Sequence, residues 1–171
     1  MTHTARGIGS ELTRTAALRA LADKWPDQTT RELLEQRAVQ DDSGYPRRAA
    51  LWALADKWPD QTTRELLEQR AVQDDNQYTR STALEALAKQ WPDRTTLKLL
   101  ESQVSSFEQW WIRQEIEESI EALRRKLAEE TRRELLKPRV VQDDDRGSRR
   151  RLGSGMNPAL PTMRNETQHN P

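Results

Sequence analysis

The chain has 171 residues, enough for one ordinary domain, and it is unusually polar, since 34% of its residues are hydrophobic and 33% are charged. A typical globular domain is roughly half apolar, so this composition favours a thin core spread along a row of small units over a large spherical core. The 28 basic and 28 acidic residues cancel, which gives no reason to expect a nucleic acid or a membrane surface as partner. The absence of cysteine excludes disulfides and thiolate metal sites.

A repeat of 33 residues organises the first hundred positions. The block ALADKWPDQTTRELLEQRAVQDD occupies 20–42 and recurs unchanged at 53–75, and a diverged copy, ALAKQWPDRTTLKLLES, occupies 86–102. A degenerate fourth copy, TRRELLKPRVVQDD, lies at 131–144 with three extra residues of phase. The Trp-Pro-Asp triplets mark the period, beginning at Trp25, Trp58 and Trp91. A period of this length indicates stacked supersecondary units.

Each unit is predicted to fold as an antiparallel pair of helices. In the first unit, an apolar stripe at helical spacing marks the first helix; it consists of Ala17, Leu18, Leu21 and Trp25. Pro26 stops this helix, and Asp27 is placed to cap the second one, which carries Leu33, Leu34 and Ala38. The second helix is expected to end near Asp41 and Asp42. Residues 43–45 then form a turn, and Pro46 suits the first position of the following helix.

The phrase AALRALADKWPDQTTRELLEQRA, followed by an acidic turn and a new Arg-Ala-Ala-Leu, resembles the short HEAT-like repeats of bacterial proteins. Such repeats occur in cyanobacterial proteins and in the sensor arms of NACHT-type NTPases. The resemblance covers about 14–104 well and 105–144 weakly. It implies an all-α fold, a superhelix of three to four helix pairs, and a protein-binding role. Ankyrin and tetratricopeptide repeats have similar periods, but their Thr-Pro-Leu-His and early-Trp signatures are missing.

The segment after Glu101 departs from the pattern. It has no proline before Pro138, and its apolar residues lie on one helical face, at Ile112, Ile116, Ile120, Leu123 and Leu127. We therefore predict a long charged helix over about 106–136, with an interruption near 129 left open. Capping of the repeat array is the preferred role, and a helix offered to a partner or a homodimer seam is the alternative.

These observations divide the chain into an unstructured N-terminus at 1–9, a repeat domain at 10–145 and an unstructured tail at 146–171. The repeat domain is expected to contain units at 14–46, 47–79 and 80–104 and a degenerate unit at 105–145. The tail contains a short basic run, Arg149–Arg151, which is expected to be solvated.

The tryptophans differ in their predicted roles. Those of the Trp-Pro-Asp triplets are expected to plug the turn inside each helix pair rather than to form a ligand ladder. Trp52 replaces Arg19 at the same phase and lies outside the apolar stripe, so exposure as an interface anchor and partial cover by a neighbouring unit both stay open. Trp110 and Trp111 are adjacent and cannot point the same way on a helix, so one of them is expected in the core.

Charges on the second helices supply most of the candidate partner-binding residues. Like charges 33 residues apart lie side by side in a solenoid, and the second helices of HEAT-like folds usually line the concave face. The candidates are Arg31, Glu35, Trp52, Arg64, Glu68 and Lys98. The alternative is a solvated face held by i, i+4 ion pairs such as Arg31–Glu35.

No enzyme is expected, and no catalytic, cofactor-binding or metal-ligating residue is predicted. The two histidines, His3 and His169, lie near the ends of the chain, and no glycine-rich phosphate loop is present. The acidic pairs are explained by turn and capping chemistry rather than by a calcium loop. The leading hypothesis is a cytoplasmic protein-binding scaffold, either free-standing or a piece of a larger sensor protein, with a protein as partner and no small-molecule substrate or membrane. A phycobilin lyase-like enzyme or accessory is the alternative, and a nucleic-acid-binding repeat protein is the third hypothesis.

Overall fold

A computed structural model describes residues 3–137, with side chains from Ser10 onward, and this part of the chain contains helices and no strand. The helices are α1 His3–Lys24, α2 Gln28–Gln40, α3 Gly44–Lys57, α4 Gln61–Gln73, α5 Gln77–Gln90, α6 Arg94–Gln103 and α7 Trp110–Leu136. A short 3-10 turn, Val104–Ser106, precedes α7. The predicted all-α solenoid of helix pairs with a long C-terminal helix is confirmed.

The helices form two layers. The first helices of the units, α1, α3, α5 and α7, pack each against the next, whereas α2, α4 and α6 scarcely contact one another. The second helices α2 and α4 lie mainly against the first helix of the following unit, whereas α6 contacts α5 and α7 about equally. The first helices can approach closely because small side chains, among them Ala50, Ala53 and Ala83, are buried along them. The first helices are thus the more closely packed of the two layers. That the second helices line a concave face stays a prediction.

The core is a continuous file of aliphatic side chains that runs through all the units. It includes Leu18, Leu34, Leu51, Leu54, Leu67, Leu84, Leu87, Leu100, Ile112, Ile116, Ile120 and Leu123. Each unit contributes only a few of these residues, so a single helix pair could not exclude water from its own apolar face. This thin core explains how so polar a chain can fold.

The Trp-Pro-Asp triplets determine where each pair of helices turns. Proline cannot continue the first helix, and the aspartate that follows caps the second. The carboxylates of Asp27, Asp60 and Asp93 accept hydrogen bonds from the backbone amides three residues on, at 2.8, 3.0 and 2.9 Å. The predicted cap is therefore confirmed and is repeated in all three copies. The next turn differs slightly from expectation, because Ser43 caps α3 and the helix begins at Gly44, two residues before Pro46.

The tryptophans of the triplets are not equivalent. Trp58 and Trp91 are partly buried against the core, as predicted, but Trp25 is exposed. A described unit follows each of the three tryptophans, but a described unit precedes only Trp58 and Trp91. The cover of these two rings therefore comes from the preceding unit. For the same reason Ala17, expected in the apolar stripe, is exposed.

The terminal helix α7 continues the phase of the first helices. It begins 33 residues after α5, which itself begins 33 residues after α3. Where the other units have Trp-Pro-Asp, α7 has Arg124, Arg125 and Lys126, so no proline or cap interrupts it. The helix therefore shows no break near 129. It starts at Trp110, later than the predicted residue 106. Residues 131–137 of the degenerate copy belong to this helix or its end, and 138–144 lie outside the described residues.

Two further expectations are corrected at the ends of the repeat array. α1 begins at His3, inside the segment 1–9 for which no structure was expected. Trp110 and Trp111 are both exposed, although one was expected in the core. Their rings contact each other edge to face, with centroids 6.1 Å apart. The residue that fills the core here is instead Phe107, just before α7. The tail at 146–171, with Arg149–Arg151, lies outside the described part of the chain.

Candidate partner-binding surfaces

Four of the predicted candidates form ion pairs within the protein. Arg31 contacts Glu35 of its own helix at 2.8 Å and the capping Asp60 of the next unit at 2.6 Å. The next copy repeats the arrangement, because Arg64 contacts Glu68 at 2.9 Å and Asp93 at 2.7 Å. We call these six residues the second-helix ladder. It ties each second helix to the turn of the following unit.

The charges of the second-helix ladder stabilise one another. Hydrogen bonds to Glu35 and then Asp60 raise the pKa of Arg31. The pKa of Asp60 is lowered by the backbone amide of Thr63 and by Arg31. Desolvation is the largest influence on Asp93 and would raise its pKa, but Arg64 and the Thr96 amide together lower it. These groups remain charged at neutral pH and are already paired.

The ladder ends at the third unit, where Leu97 replaces the arginine. Glu101, which corresponds to Glu35, instead accepts a hydrogen bond from Arg124 of α7 at 2.7 Å. Lys98, the last of the predicted candidates on the second helices, is exposed on α6. The loss of the arginine thus coincides with the loss of the capping aspartate in α7.

Trp52 lies in the other layer, apart from the remaining candidates. It is half-buried on α3, and the Lys89 ammonium lies 5.4 Å from its ring centroid. It borders an open cleft between α1 and α3 together with Arg19 and Asp56. The two possibilities left open for Trp52 therefore resolve as partial cover, and the six predicted candidates do not form one site.

Arginines at one phase of the first helices form a second ladder. Arg47 donates to Asp74 of its own unit at 2.8 Å and to the Asp41 carbonyl of the preceding unit at 2.8 Å. Arg14 likewise contacts Asp41. Further along, Arg80 and Arg113 donate to the carbonyls of Asp74 and Phe107.

We call these arginines and their partners the first-helix ladder. Its contacts change at the unit where the aspartate is replaced by another residue. Phe107 takes the phase of Asp41 and Asp74, and the Arg80 guanidinium lies over its ring at 5.4 Å. Asp41 and Asp74 also accept hydrogen bonds from backbone amides two residues on, as expected for turn residues. The 33-residue spacing of Arg14, Arg47 and Arg80 is visible in the sequence, and Arg113 continues it into α7, which was not predicted to be in register with the other units.

Exposed apolar side chains occupy one further phase of the first helices. These residues, the apolar row, are Leu12, Tyr45, Tyr78 and Trp111, and they are 56%, 57%, 39% and 41% exposed. They are 33 residues apart, so they lie on neighbouring helices of the tightly spaced layer. Their identities differ, which is why the repeat pattern did not single them out. Trp110 adds a further exposed aromatic ring beside Trp111.

A cleft of about 190 Å³ lies between the two tyrosines of the apolar row. Arg48 borders it, with its guanidinium carbon 5.9 Å from the Tyr78 ring centroid and its Nε donating to Thr82 at 2.9 Å. Gly44 leaves the cleft open on another side, where a Cβ atom would stand 2.8 Å from the Asn76 amide nitrogen. A larger residue at this position would require the Asn76 side chain to move.

Acidic side chains lie three residues before three members of the apolar row in the chain. Asp42, Asp75 and Glu108 are all exposed and again 33 residues apart; we call them the acidic row. Asp75 contacts Arg47 at 2.5 Å, and its pKa is lowered by a hydrogen bond with Asp74 and by Arg47. The end of the stack where second helices turn into first helices is thus both aromatic and acidic.

A comparison with protein-family models finds HEAT repeats over residues 6–87 and 64–156, which together span most of the chain. The chain belongs to the HEAT repeat family. No match is found among curated proteins or among solved structures. HEAT repeats are commonly scaffolds for protein interaction and are typically not enzymes. The family thus agrees with the fold and with the coarse expectation of a scaffold.

One carboxylate of these HEAT repeats is substantially desolvated. Burial raises the pKa of Glu85, Glu115 raises it further, and Arg48 opposes them. Glu85 borders an open cleft between α5 and α7 with Lys89 and Lys126. Burial and Glu115 thus outweigh Arg48 at this carboxylate.

Two other types of site, a metal site and a membrane-spanning helix, are absent from the described HEAT repeats. Among residues 3–137, no cluster of histidine, aspartate and glutamate has the arrangement of a metal site. In the same part of the chain, none of the helices has the length and apolar character needed to cross a membrane. The surfaces that remain as candidates are the second-helix ladder and the apolar row with its acidic neighbours.

Proposed function

We propose that this HEAT repeat protein is a protein-binding scaffold and that its partner contacts the apolar row on the first helices. The observation that carries the proposal is the exposure of Leu12, Tyr45, Tyr78 and Trp111 at one phase of four successive units. Tyrosine and tryptophan are frequent binding anchors, because they bring a large contact area at a low cost in conformational entropy. A row with one such anchor per unit offers a partner several contacts in line.

The second-helix ladder is the weaker candidate surface. Its arginines would have to give up ion pairs with Asp60 and Asp93 before they could bind a partner. Exposed Glu65 and Lys98 remain available on that layer, so it stays the second candidate. A cytoplasmic location and a place in a larger sensor protein remain proposals. No described feature favours bilin chemistry, and the acidic row disfavours nucleic acid.

Site-specific crosslinking distinguishes the two surfaces. We would place a photoreactive phenylalanine analogue at Tyr78 in one sample and at Lys98 in another, and irradiate both in an extract of the source cells. We expect the same protein to be captured from Tyr78 in repeated samples, and capture to be lost when Tyr45→Ser is added. Both crosslinker positions are exposed, so folding is preserved, and circular dichroism verifies it. Capture from Lys98 alone would assign the partner to the second helices and refute the proposal.

A further inference from the structure

We propose that the apolar row binds a proline-rich, basic peptide segment in the polyproline II conformation. This inference rests on the proposed function, because it names the class of partner for the same surface. It follows from three properties of the row, which are its spacing, the chemistry of the cleft between Tyr45 and Tyr78, and the charge of the acidic row beside it.

The spacing of the row matches that of a polyproline II helix. Neighbouring packed helices lie about 8–10 Å apart, and the row presents one apolar side chain per helix. Polyproline II has three residues per turn and rises about 3.1 Å per residue, so its side chains return to the same face every ~9 Å. A β-strand returns to the same face every two residues, about 6.6 Å, which does not match. A peptide with proline at every third position would therefore meet one anchor per turn.

The cleft between the tyrosines has the chemistry that such a peptide requires. Aromatic-lined grooves bind proline rings, and the bound peptide keeps its carbonyl groups unpaired because polyproline II has no internal hydrogen bonds. Arg48 lines the cleft and uses its Nε for Thr82, so its terminal nitrogens remain as donors. Asn76 uses its oxygen to cap α5, accepting from Tyr78 and Thr79, so its amide nitrogen is available to donate. Both can donate to peptide carbonyls.

The acidic row determines the charge of the partner. Asp42 and Glu108 are exposed near the two ends of the aromatic segment, and Asp75 lies between them, partly neutralised by Arg47. Aromatic rows also bind single-stranded nucleic acids by stacking on the bases, but those sites combine stacking with a basic groove. Carboxylates beside the rings repel phosphates and attract lysine or arginine. A basic peptide is therefore favoured over RNA or DNA.

Binding of a defined probe to the full chain tests the inference. The probe is a fluorescein-labelled peptide of about ten residues, the length of three polyproline turns, with repeated Pro-Pro-Leu and an arginine at each end. The comparison probes have alanine for every proline, glutamate for both arginines, or are single-stranded RNA of similar length. We expect fluorescence anisotropy to detect the proline-rich, basic probe in preference to all three others.

Matched variants locate the binding. Tyr45→Ser together with Tyr78→Ser should weaken binding of the proline-rich probe about ten-fold or more, as for loss of two anchors. Asp42→Asn with Glu108→Gln should weaken it less, and the effect should shrink as salt is added. Glu65→Ala with Lys98→Ala, on the second helices, should leave affinity unchanged. All substituted side chains are exposed, so thermal unfolding should remain unaltered.

The outcomes separate the inference from the proposed function. Equal binding of proline and alanine probes, or binding insensitive to the tyrosine variants, overturns the inference. Tighter binding of RNA overturns it in favour of a nucleic acid. If the peptide does not bind while Tyr78 still crosslinks a protein, the inference fails and the scaffold proposal stands. If neither occurs, both fail.

Discussion

Residues 20–42 and 53–75 have the same sequence but different surroundings. Both fold into the end of a first helix, a Trp-Pro-Asp turn and a second helix. Ala20 and Trp25 are exposed in the first block, whereas Ala53 is buried and Trp58 half-buried in the second. Only the second block has a described helix pair on its preceding side. Local sequence therefore determines the helices and caps, and the neighbouring unit determines burial and ion pairing.

The largest difference between the blocks should come from their buried aspartates. Arg47→Ala should cost ~3–5 kcal/mol in the free energy of unfolding, because Asp74 would stay buried without its partner. Arg14→Ala removes the equivalent partner of Asp41, but Arg14 is much more exposed than Arg47 and its loss opens the carboxylate to water. Its cost should be nearer ~1 kcal/mol. Urea denaturation measures the free energy of unfolding of both variants. Equal losses would contradict the conclusion that the preceding unit determines burial.

A core leucine gives the next largest difference. Leu54→Ala should destabilise the protein by ~2–5 kcal/mol, because the side chain is fully buried and its removal leaves a cavity. Leu21→Ala, the same substitution in the first block, should cost clearly less, because Leu21 is partly exposed and water fills the space. Thermal unfolding of the two variants provides the comparison. A greater loss for Leu21→Ala would show that the first block is covered in solution.

Two of the capping aspartates separate the stability that comes from the helix cap from the stability that comes from an ion pair between units. Asp27→Ala and Asp60→Ala should each lose ~0.5–2 kcal/mol with the helix cap. Asp60→Ala should lose a further ~0.2–1 kcal/mol, because Asp60, unlike Asp27, also pairs with an arginine of the preceding unit, Arg31. In an Arg31→Ala background this excess should disappear, and a double-mutant cycle measures it.

The Asp60 contribution should also depend on pH in a defined direction. Its pKa is lowered in the folded state, so the stabilisation is present above the unfolded pKa of about 3.9 and is lost as the pH falls through the folded value. The excess cost of Asp60→Ala should thus be constant near neutral pH and vanish in strong acid. An excess that grew on acidification would have the wrong sign for an ion pair.

The smallest difference concerns two exposed lysines. Lys57 contacts Asp23 of the preceding unit at 3.0 Å and Asp56 at 3.2 Å. These are flexible side chains in solvent, and such pairs are screened by water and salt. Lys57→Ala and Lys24→Ala should therefore leave the melting temperature equally unchanged. A loss confined to Lys57→Ala would assign surface pairs a role in stacking.

The sequence predicted the local structure of the units well, because proline and aspartate act within a few residues of their own positions. The helix pairs, the cap of Asp27 and the apolar face of α7 were all anticipated. The exposure of Trp25 was not anticipated, because it depends on the adjacent unit. Two blocks of identical sequence cannot show which of them has such a neighbour. The register of α7 was missed because Arg124 and Lys126 replace the residues that mark the period.

The candidate surfaces were harder to predict for a different reason. Arg31, Glu35, Arg64 and Glu68 stand out in the sequence because they are copied, yet copying also preserves ion pairs between units. The apolar row consists of three different residue types, so it becomes visible only when the helices are aligned in space. Residues that are identical in each copy thus indicated structural ion pairs. Positions that are exposed and apolar in each copy, whatever the residue type, indicated the proposed binding surface.

The spans of the two ladders bear on how the array can change in length. Arg31 pairs with a residue 29 positions ahead, and Arg47 with one 27 positions ahead, and both patterns recur every 33. Unequal crossing-over between the identical blocks would insert or delete whole units in frame, and each arginine would still meet an aspartate. Insertion or deletion of a whole 33-residue unit between 20 and 75 would therefore preserve both patterns of ion pairs.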